Sequence, residues 1–155
     1  MARDRKAHLQ QEIDRIAAHL GYPSVQVNHL KPDNDLNISI DADGRYHYSF
    51  WERGKANFDR VSDDIDDVLY WFAQGITSEI GSRYSVGRAD ADGDQRGAMW
   101  AKQFELLDVL NPRWARRQVR EMADKLRQWG QADNVHLLPD IPERGTLPDP
   151  DTGQP

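Results

Sequence analysis

From Asp35 to Val61 the chain reads DLNISIDADGRYHYSFWERGKANFDRV. Apolar and polar residues alternate along it and two glycine-centred breaks divide it, a pattern that commits this part of the molecule to an antiparallel meander. The register follows from what has to be buried. A two-residue Asp43-Gly44 turn would set Ile40 opposite His47 and leave Tyr46, Tyr48 and Phe50 on the face away from the isoleucines. A three-residue loop, Ala42-Asp43-Gly44 with Gly44 left-handed, instead pairs Ile40 with Tyr46, Ile38 with Tyr48 and Leu36 with Phe50 and gathers all six on one face. Burial favours the second. The same loop in WERGK, with Gly54 left-handed, pairs Phe50 with Ala56 and Tyr48 with Phe58 and keeps a single apolar face. Positive φ is therefore expected at both Gly44 and Gly54.

Helices flank the meander. Leu9, Ile13, Ile16, Ala17 and Leu20 recur at helical spacing ahead of Gly21, which predicts a helix over about 3–20. Between Pro23 and Pro32, VQV reads as a short edge strand. A second helix is expected from Ser62 or Asp63 to about Tyr84, burying Ile65, Leu69, Phe72, Ile76 and Ile80 and weakened by Gly75 and Gly81. Past the polar loop SVGRADADGDQRG a third runs from about Gln95 to Leu110. A fourth opens at NPRW, where Asn111 is a natural cap and Pro112 suits the first turn. Its stripe is Ala115, Val119, Met122, Leu126 and Trp129, ending at Gly130.

The expected class is α+β: an N-terminal helix, a small antiparallel meander of three or four strands, then three helices packed on one face of the sheet. A length of 155 residues fits one domain, placed at 1–130, with five Trp, five Tyr and four Phe to supply its core. From 131 to 155 come five prolines among acidic and small residues; this stretch is expected to be largely disordered, with VHLLPDIP docking.

The absence of cysteine excludes thiolate chemistry and disulfides, and no apolar run approaches the roughly 20 residues of a membrane helix. With no apolar leader in MARDRKAHLQQEIDRIAAHL, a cytoplasmic protein is expected. The net charge of −6 is uneven: residues 112–129 are basic through Arg113, Arg116, Arg117, Arg120, Lys125 and Arg127, whereas the body and tail are acidic. Such a balance suits a protein partner better than a nucleic acid, which calls for a dominant basic face.

SDDIDDVLYW, residues 62–71, concentrates carboxylates at a helix start, where they face the positive end of the dipole and accept from free backbone N–H groups. Helical spacing also sets Asp63, Asp67, Tyr70, Trp71 and Gln74 on one broad face away from Ile65, Leu69 and Phe72, a candidate solvated docking strip. A metal site there lacks a histidine, and a glycosidase-like pair would need two differently tuned acids across a cleft. DADGDQ (90–95) and DADG (41–44) resemble pieces of a calcium loop. In the first, however, Gln95 stands where glycine is required and Ala101 where glutamate is, so both read as turns. His47, alternating with Tyr46 and Tyr48, reads as a lone strand histidine. No nucleophile elbow, phosphate loop, HExxH or dinucleotide fingerprint is present. No catalytic residue, cofactor or metal is expected, and the protein is not expected to be an enzyme.

Three segments taken in order, YHYSFWERG (46–54), SDDIDDVLYW (62–71) and KQFELLDVLNPRWARRQVRE (102–121), resemble the immunity protein 63 family of bacterial polymorphic toxin systems. The family carries a YHY…ERG strand, a [ST]DDxDELLYW helix start and an ELLxxLNPxWAxR junction. The resemblance spans about residues 35–125. Within 85–101 only an Asp94-x-Arg96 pair matches, and the first helix and the tail are individual to this chain. The resemblance implies a small protein encoded beside a secreted toxin that binds the cognate toxin domain and neutralises it by stoichiometric occlusion. The candidate contact residues are then Asp63, Asp67, Tyr70, Trp71 and Gln74, with Asp90, Asp92 and Asp94 of the 85–97 loop, meeting a more basic toxin. Two alternatives stand beside it: a nucleic-acid-associated regulatory module using the arginine-rich last helix, and a small hydrolase built on His47 and carboxylates.

Overall fold

A computed structural model describes residues 2–145. It shows the expected α+β class: helix α1 (Ala2–Leu20), strands β1 (Asp35–Ile40), β2 (Tyr46–Glu52) and β3 (Lys55–Ser62), and helices α2 (Ile65–Ser85), α3 (Arg96–Leu110) and α4 (Pro112–Gln128). Two short 3-10 helices, Ala132–Leu137 and Pro142–Arg144, follow. The chain divides into two compact units between Ile76 and Thr77, within α2.

In the first unit α1 buries Leu9, Ile13, Ile16 and Ala17. It ends where Gly21 takes φ +69° and the N–H groups of Gly21 and Tyr22 return to the carbonyls of Ala18 and Ala17, so that two otherwise orphaned acceptors are satisfied. The sheet order is β1-β2-β3, all antiparallel. In the first hairpin Ile40 faces Tyr46, Ile38 faces Tyr48 and Leu36 faces Phe50, the register that burial demanded, with Gly44 at φ +81°.

The second hairpin departs from expectation. Gly54 does have positive φ, +77°, but so does Arg53, +53°, and the pairs Glu52–Lys55 and Trp51–Ala56 close a two-residue turn rather than a three-residue loop. Such a turn alone would place Phe58 on the wrong face. A bulge corrects this: Phe50 pairs with Phe58 and Tyr48 with Arg60, leaving Asn57 as the extra residue on β3. The expected pairs Phe50–Ala56 and Tyr48–Phe58 are thus replaced, while the face is kept. Phe58 stacks on Tyr48 at 5.8 Å and on Phe50 at 6.4 Å between ring centroids.

VQV forms no strand. The Gln10 side chain on α1 takes the place of a ladder partner, accepting from Val27 N (2.8 Å) and donating to Val25 O (2.9 Å), so that the segment can bury Val27 while its backbone stays satisfied.

In the second unit α3 and α4 pack around Trp100, Val119, Ala123, Leu126, Val135 and Leu138. One residue, Asn111, separates the helices; its side chain accepts from Arg113 N at 3.0 Å and Pro112 opens α4, as its sequence required. The expected stripe on α4 holds at Ala115, Val119 and Leu126, with Met122 half-buried, but Trp129 is 61% exposed and Trp114 is buried in its place. The reason is local. α4 stops at Gln128, and at Trp129 and Gly130 (φ +72°) the chain turns back, with Gln131 N reaching Leu126 O at 2.7 Å. The returning segment puts Val135 and Leu138, both 4% exposed, into the core, so VHLLPDIP docks. The remainder of the expected tail, residues 146–155, lies outside the described residues.

Candidate functional site

The start of α2 is a closed hydrogen-bond circuit. Ser62 stays in β3, and its hydroxyl accepts from Asp64 N (3.0 Å) and donates to the Asp67 carboxylate (2.6 Å). Asp64 in turn accepts from Asp66 N at 2.9 Å, capping the first turn. The helix therefore begins at Ile65, two to three residues later than expected, because the strand and the cap consume Ser62 to Asp64. Of the expected strip, Asp63 is exposed and Trp71 and Gln74 are half-buried. Asp67 is partly engaged with Ser62. Tyr70 leaves the strip altogether: it is 1% exposed, because α2 buries Val68, Tyr70 and Ala73 as well as Leu69 and Phe72.

Trp71 belongs to a different assembly from the one its spacing suggested. Its ring lies 6.2 Å from that of Tyr48, which stacks on Phe58, and the Arg60 guanidinium sits 5.4 Å from the Phe58 centroid and 5.9 Å from that of Trp71. Phe58 remains 40% exposed. Tyr48 stacks on Phe58 and meets Trp71 at a tilt of 49°, with the Arg60 cation over the Phe58 and Trp71 rings, and Trp, Tyr and Arg are the side chains that dominate binding hot spots. Phe58 and Arg60 carried a weak signal in the sequence: their place beside Trp71 depends on the bulge at Asn57.

Asp90, Asp92 and Asp94 lie in the second unit. Asp90 accepts from the backbone N–H groups of Asp92 (2.9 Å) and Asp94 (3.0 Å), while Gly93 N reaches Asp90 O. Asp41 makes the same bonds to Asp43 (2.9 Å) and Arg45 (3.0 Å), with Gly44 N reaching Asp41 O. Both DADG sequences are thus one kind of aspartate-wrapped turn, as read. Asp94 is further clamped by Arg96 through Nε (3.1 Å) and Nη2 (2.8 Å), and those hydrogen bonds lower its pKa from 3.8 to about 2. Asp92 alone of the three leaves its carboxylate outside this circuit.

His47 is not alone. Its Nε2 lies 2.8 Å from Asp41 and its Nδ1 3.1 Å from Asp59, so both ring nitrogens are engaged and neither is left for a nucleophile. The His47 bond, with the Arg45 N–H next, lowers the Asp41 pKa from 3.8 to about 2. For His47 burial opposes the charged form, but the bonds to Asp41 and Asp59 outweigh it and raise the pKa above 6.5. A neutral imidazole has one N–H and serves one carboxylate, whereas the cation serves both. Arg45, 3.2 Å from Asp41, adds a second cation to the cluster. The Asp41 contribution to stability is present above about pH 4 and lost as pH falls toward 2; the His47 contribution is complete below about 6.5 and lost as pH rises through its raised pKa. Thermal melts from about pH 4 to 8 are expected to show a decline above about 6.5 that His47→Gln flattens. An unchanged slope in the variant would remove the cluster as its cause.

The basic helix spends much of its charge internally. Arg116 pairs with Glu143 (3.5 Å), Arg117 with Glu121 (2.9 Å), and Arg127 donates to Arg144 O (2.7 Å). Among the described residues no three His, Asp or Glu side chains are placed to hold a metal ion, and no helix is long and apolar enough to cross a membrane.

The first unit thus carries a partly exposed aromatic and cationic surface at Phe58, Arg60 and Trp71. The chain belongs to the Immunity protein 63 family, whose model matches residues 42–124, more than half its length. Membership gives it an immunity function, with a toxin as the class of partner. No curated protein and no solved structure matches the chain.

Proposed function

We propose that this protein neutralises a cognate bacterial toxin domain by binding it in one-to-one complex and covering its working surface, without turnover. The observation that supports the reading is the packed cluster of Tyr48, Phe58 and Trp71 under Arg60, whose mutual contacts reduce the side-chain freedom to be lost on association. Phe58, Arg60 and Trp71 are its anchors, flanked by Asp63, Asp67 and Gln74. Asp92 is a further contact, whereas Asp90 and Asp94 shape their loop and Tyr70 supports the core. A net charge of −6 steers a basic toxin toward it. The complex forms in the cytoplasm.

The test is co-expression with the toxin encoded beside this chain. Cells expressing the wild type are expected to survive, and purified Trp71→Ala and Phe58→Ala are each expected to bind the toxin about 30-fold more weakly, the value of about 2 kcal/mol for an anchor. Rescue and affinity both unchanged in the double variant, with the fold intact by circular dichroism, would place the interface elsewhere.

A further inference from the structure

The two outer strands of the sheet are treated differently. Along β1 Asn28 covers part of the outer backbone, its side chain accepting from Ile40 N (2.8 Å) and its N–H donating to Ile38 O (2.9 Å), and the Asn37 side chain holds the Lys31 backbone beside the strand, accepting from Lys31 N (2.7 Å) and donating to Lys31 O (2.8 Å). β3 has no such cover. Every residue from Lys55 to Val61 is exposed, and among the described residues nothing bonds to its outer backbone edge. Such an edge is a template for another extended chain.

Charge says what kind of chain. Arg53, Lys55 and Arg60 make no ion pair within 4 Å among the described residues; of the nearby carboxylates, Asp59 is bonded to His47, and Glu52, across the ladder from Lys55, accepts from the Asn57 amide (3.1 Å). Arg53 and Lys55 thus stand at the hairpin end of this edge and Arg60, lying over the Phe58 and Trp71 rings, further along it, in a protein that is acidic overall. A shallow depression of about 400 Å³, lined by Glu52, Arg53, Lys55 and Asn57, opens at the hairpin end. Arg53 also breaks a local rule, since the first position of this turn favours Asn or Gly at positive φ. An arginine there, without an ion pair among the described residues, holds a charge at the tip of the turn.

From these observations we infer that the outer edge of β3 receives an extended acidic segment of the toxin as a fourth strand, with carboxylates on one of its faces reaching Arg53 and Lys55. This rests on the toxin-binding reading. Main-chain bonds supply strength, and the alternate acidic side chains supply selectivity.

The probe is a ten-residue peptide alternating glutamate and valine, with a lysine-valine version and a version broken by a central proline as controls, measured on the full chain by amide exchange. The acidic peptide is expected to slow exchange of β3 amides about tenfold and the controls to leave it unchanged. Arg53→Asn, which suits the turn and so folds at least as well, and Arg53→Glu with Lys55→Glu are expected to weaken the acidic peptide and the toxin about tenfold or more. A toxin complex with β3 amides unprotected overturns the edge while leaving neutralisation standing. Protection by the acidic peptide without toxin binding supports the edge and removes the toxin as its occupant. Equal protection by the lysine peptide overturns the charge assignment, and the proposal with it.

Discussion

A chain ending at Gly130 is expected to lose about 3–6 kcal/mol of folding stability, since a fully buried Val or Leu contributes about 1.5–3 kcal/mol each. Truncation there removes Val135 and Leu138, each 4% exposed, and uncovers Trp100 and Leu126 beneath them. Two ties to α4 go as well, from Arg127 to Arg144 O and from Arg116 to Glu143, although the second is half-exposed and contributes little. Against a typical total of about 5–15 kcal/mol the loss is large enough to show as partial unfolding at room temperature. Urea titration of the two lengths measures it. A difference below about 1 kcal/mol would mean that the segment merely lies on the surface, because two genuinely buried aliphatic side chains cannot be lost so cheaply. Ending the chain at Gly145 instead leaves this packing in place.

Gly81→Ala is expected to destabilise by about 2–3 kcal/mol, the opposite of the gain of about 0.5–1 kcal/mol that the exchange gives inside an ordinary helix. A Cβ built at Gly81 meets the carbonyl oxygen of Met99 at 2.6 Å and Met99 Cγ at 3.4 Å. The first atom belongs to the backbone of α3, so it cannot swing aside as a side chain would, and the helix itself has to move. Gly97→Ala supplies the comparison. Nothing lies nearer than 3.7 Å to its Cβ, and it is expected to be neutral or stabilising by up to about 1 kcal/mol. Thermal melts of the two variants decide the matter: a rise in midpoint for Gly81→Ala would show that the helices separate without cost. In the sequence Gly81 counted only as a helix weakener. Its value as a point of close approach depends on a partner helix that begins 15 residues later.

How far the fold could be read from residues alone varied with how many independent constraints met at one place. The first hairpin was legible because alternation and loop length both pointed to the same pairing of Ile40 with Tyr46. At the second, ERGK supports a two-residue or a three-residue turn, and the bulge that reconciles the shorter turn with the buried face leaves no mark of its own in composition. Asn111-Pro112 was legible for the opposite reason, since capping is a local matter of one side chain and one ring. VQV failed because the partner of its backbone is the side chain of Gln10, 15 to 17 residues away, which no periodicity reports. Trp129 was misplaced because a stripe says which face is apolar, not at which residue the helix stops.

The candidate surface divided along the same line. The aspartates at the start of α2 were recognisable as a cap from residue type and position, and the Ser62 circuit bears that out. Tyr70 was misjudged because a single buried stripe was assumed where the helix is covered on more than one side. Trp71 was found, but its neighbours Phe58 and Arg60 come from a strand expected to pair through a three-residue loop, whereas a two-residue turn and a bulge set its register. His47 looked solitary because its carboxylates sit 6 residues before and 12 after it, brought close only by the sheet.

The extra residue on β3 has a consequence for how chains of this kind can diverge. Because Asn57 opposes nothing, losing it would leave Phe50 still facing Phe58 and Trp51 still facing Ala56, a deletion that shifts no side chain to the other side. Only the local bend of the outer strand would change. Single-codon gains and losses at this position therefore offer a lineage a way to reshape its rim while inheriting the aromatic pavement intact.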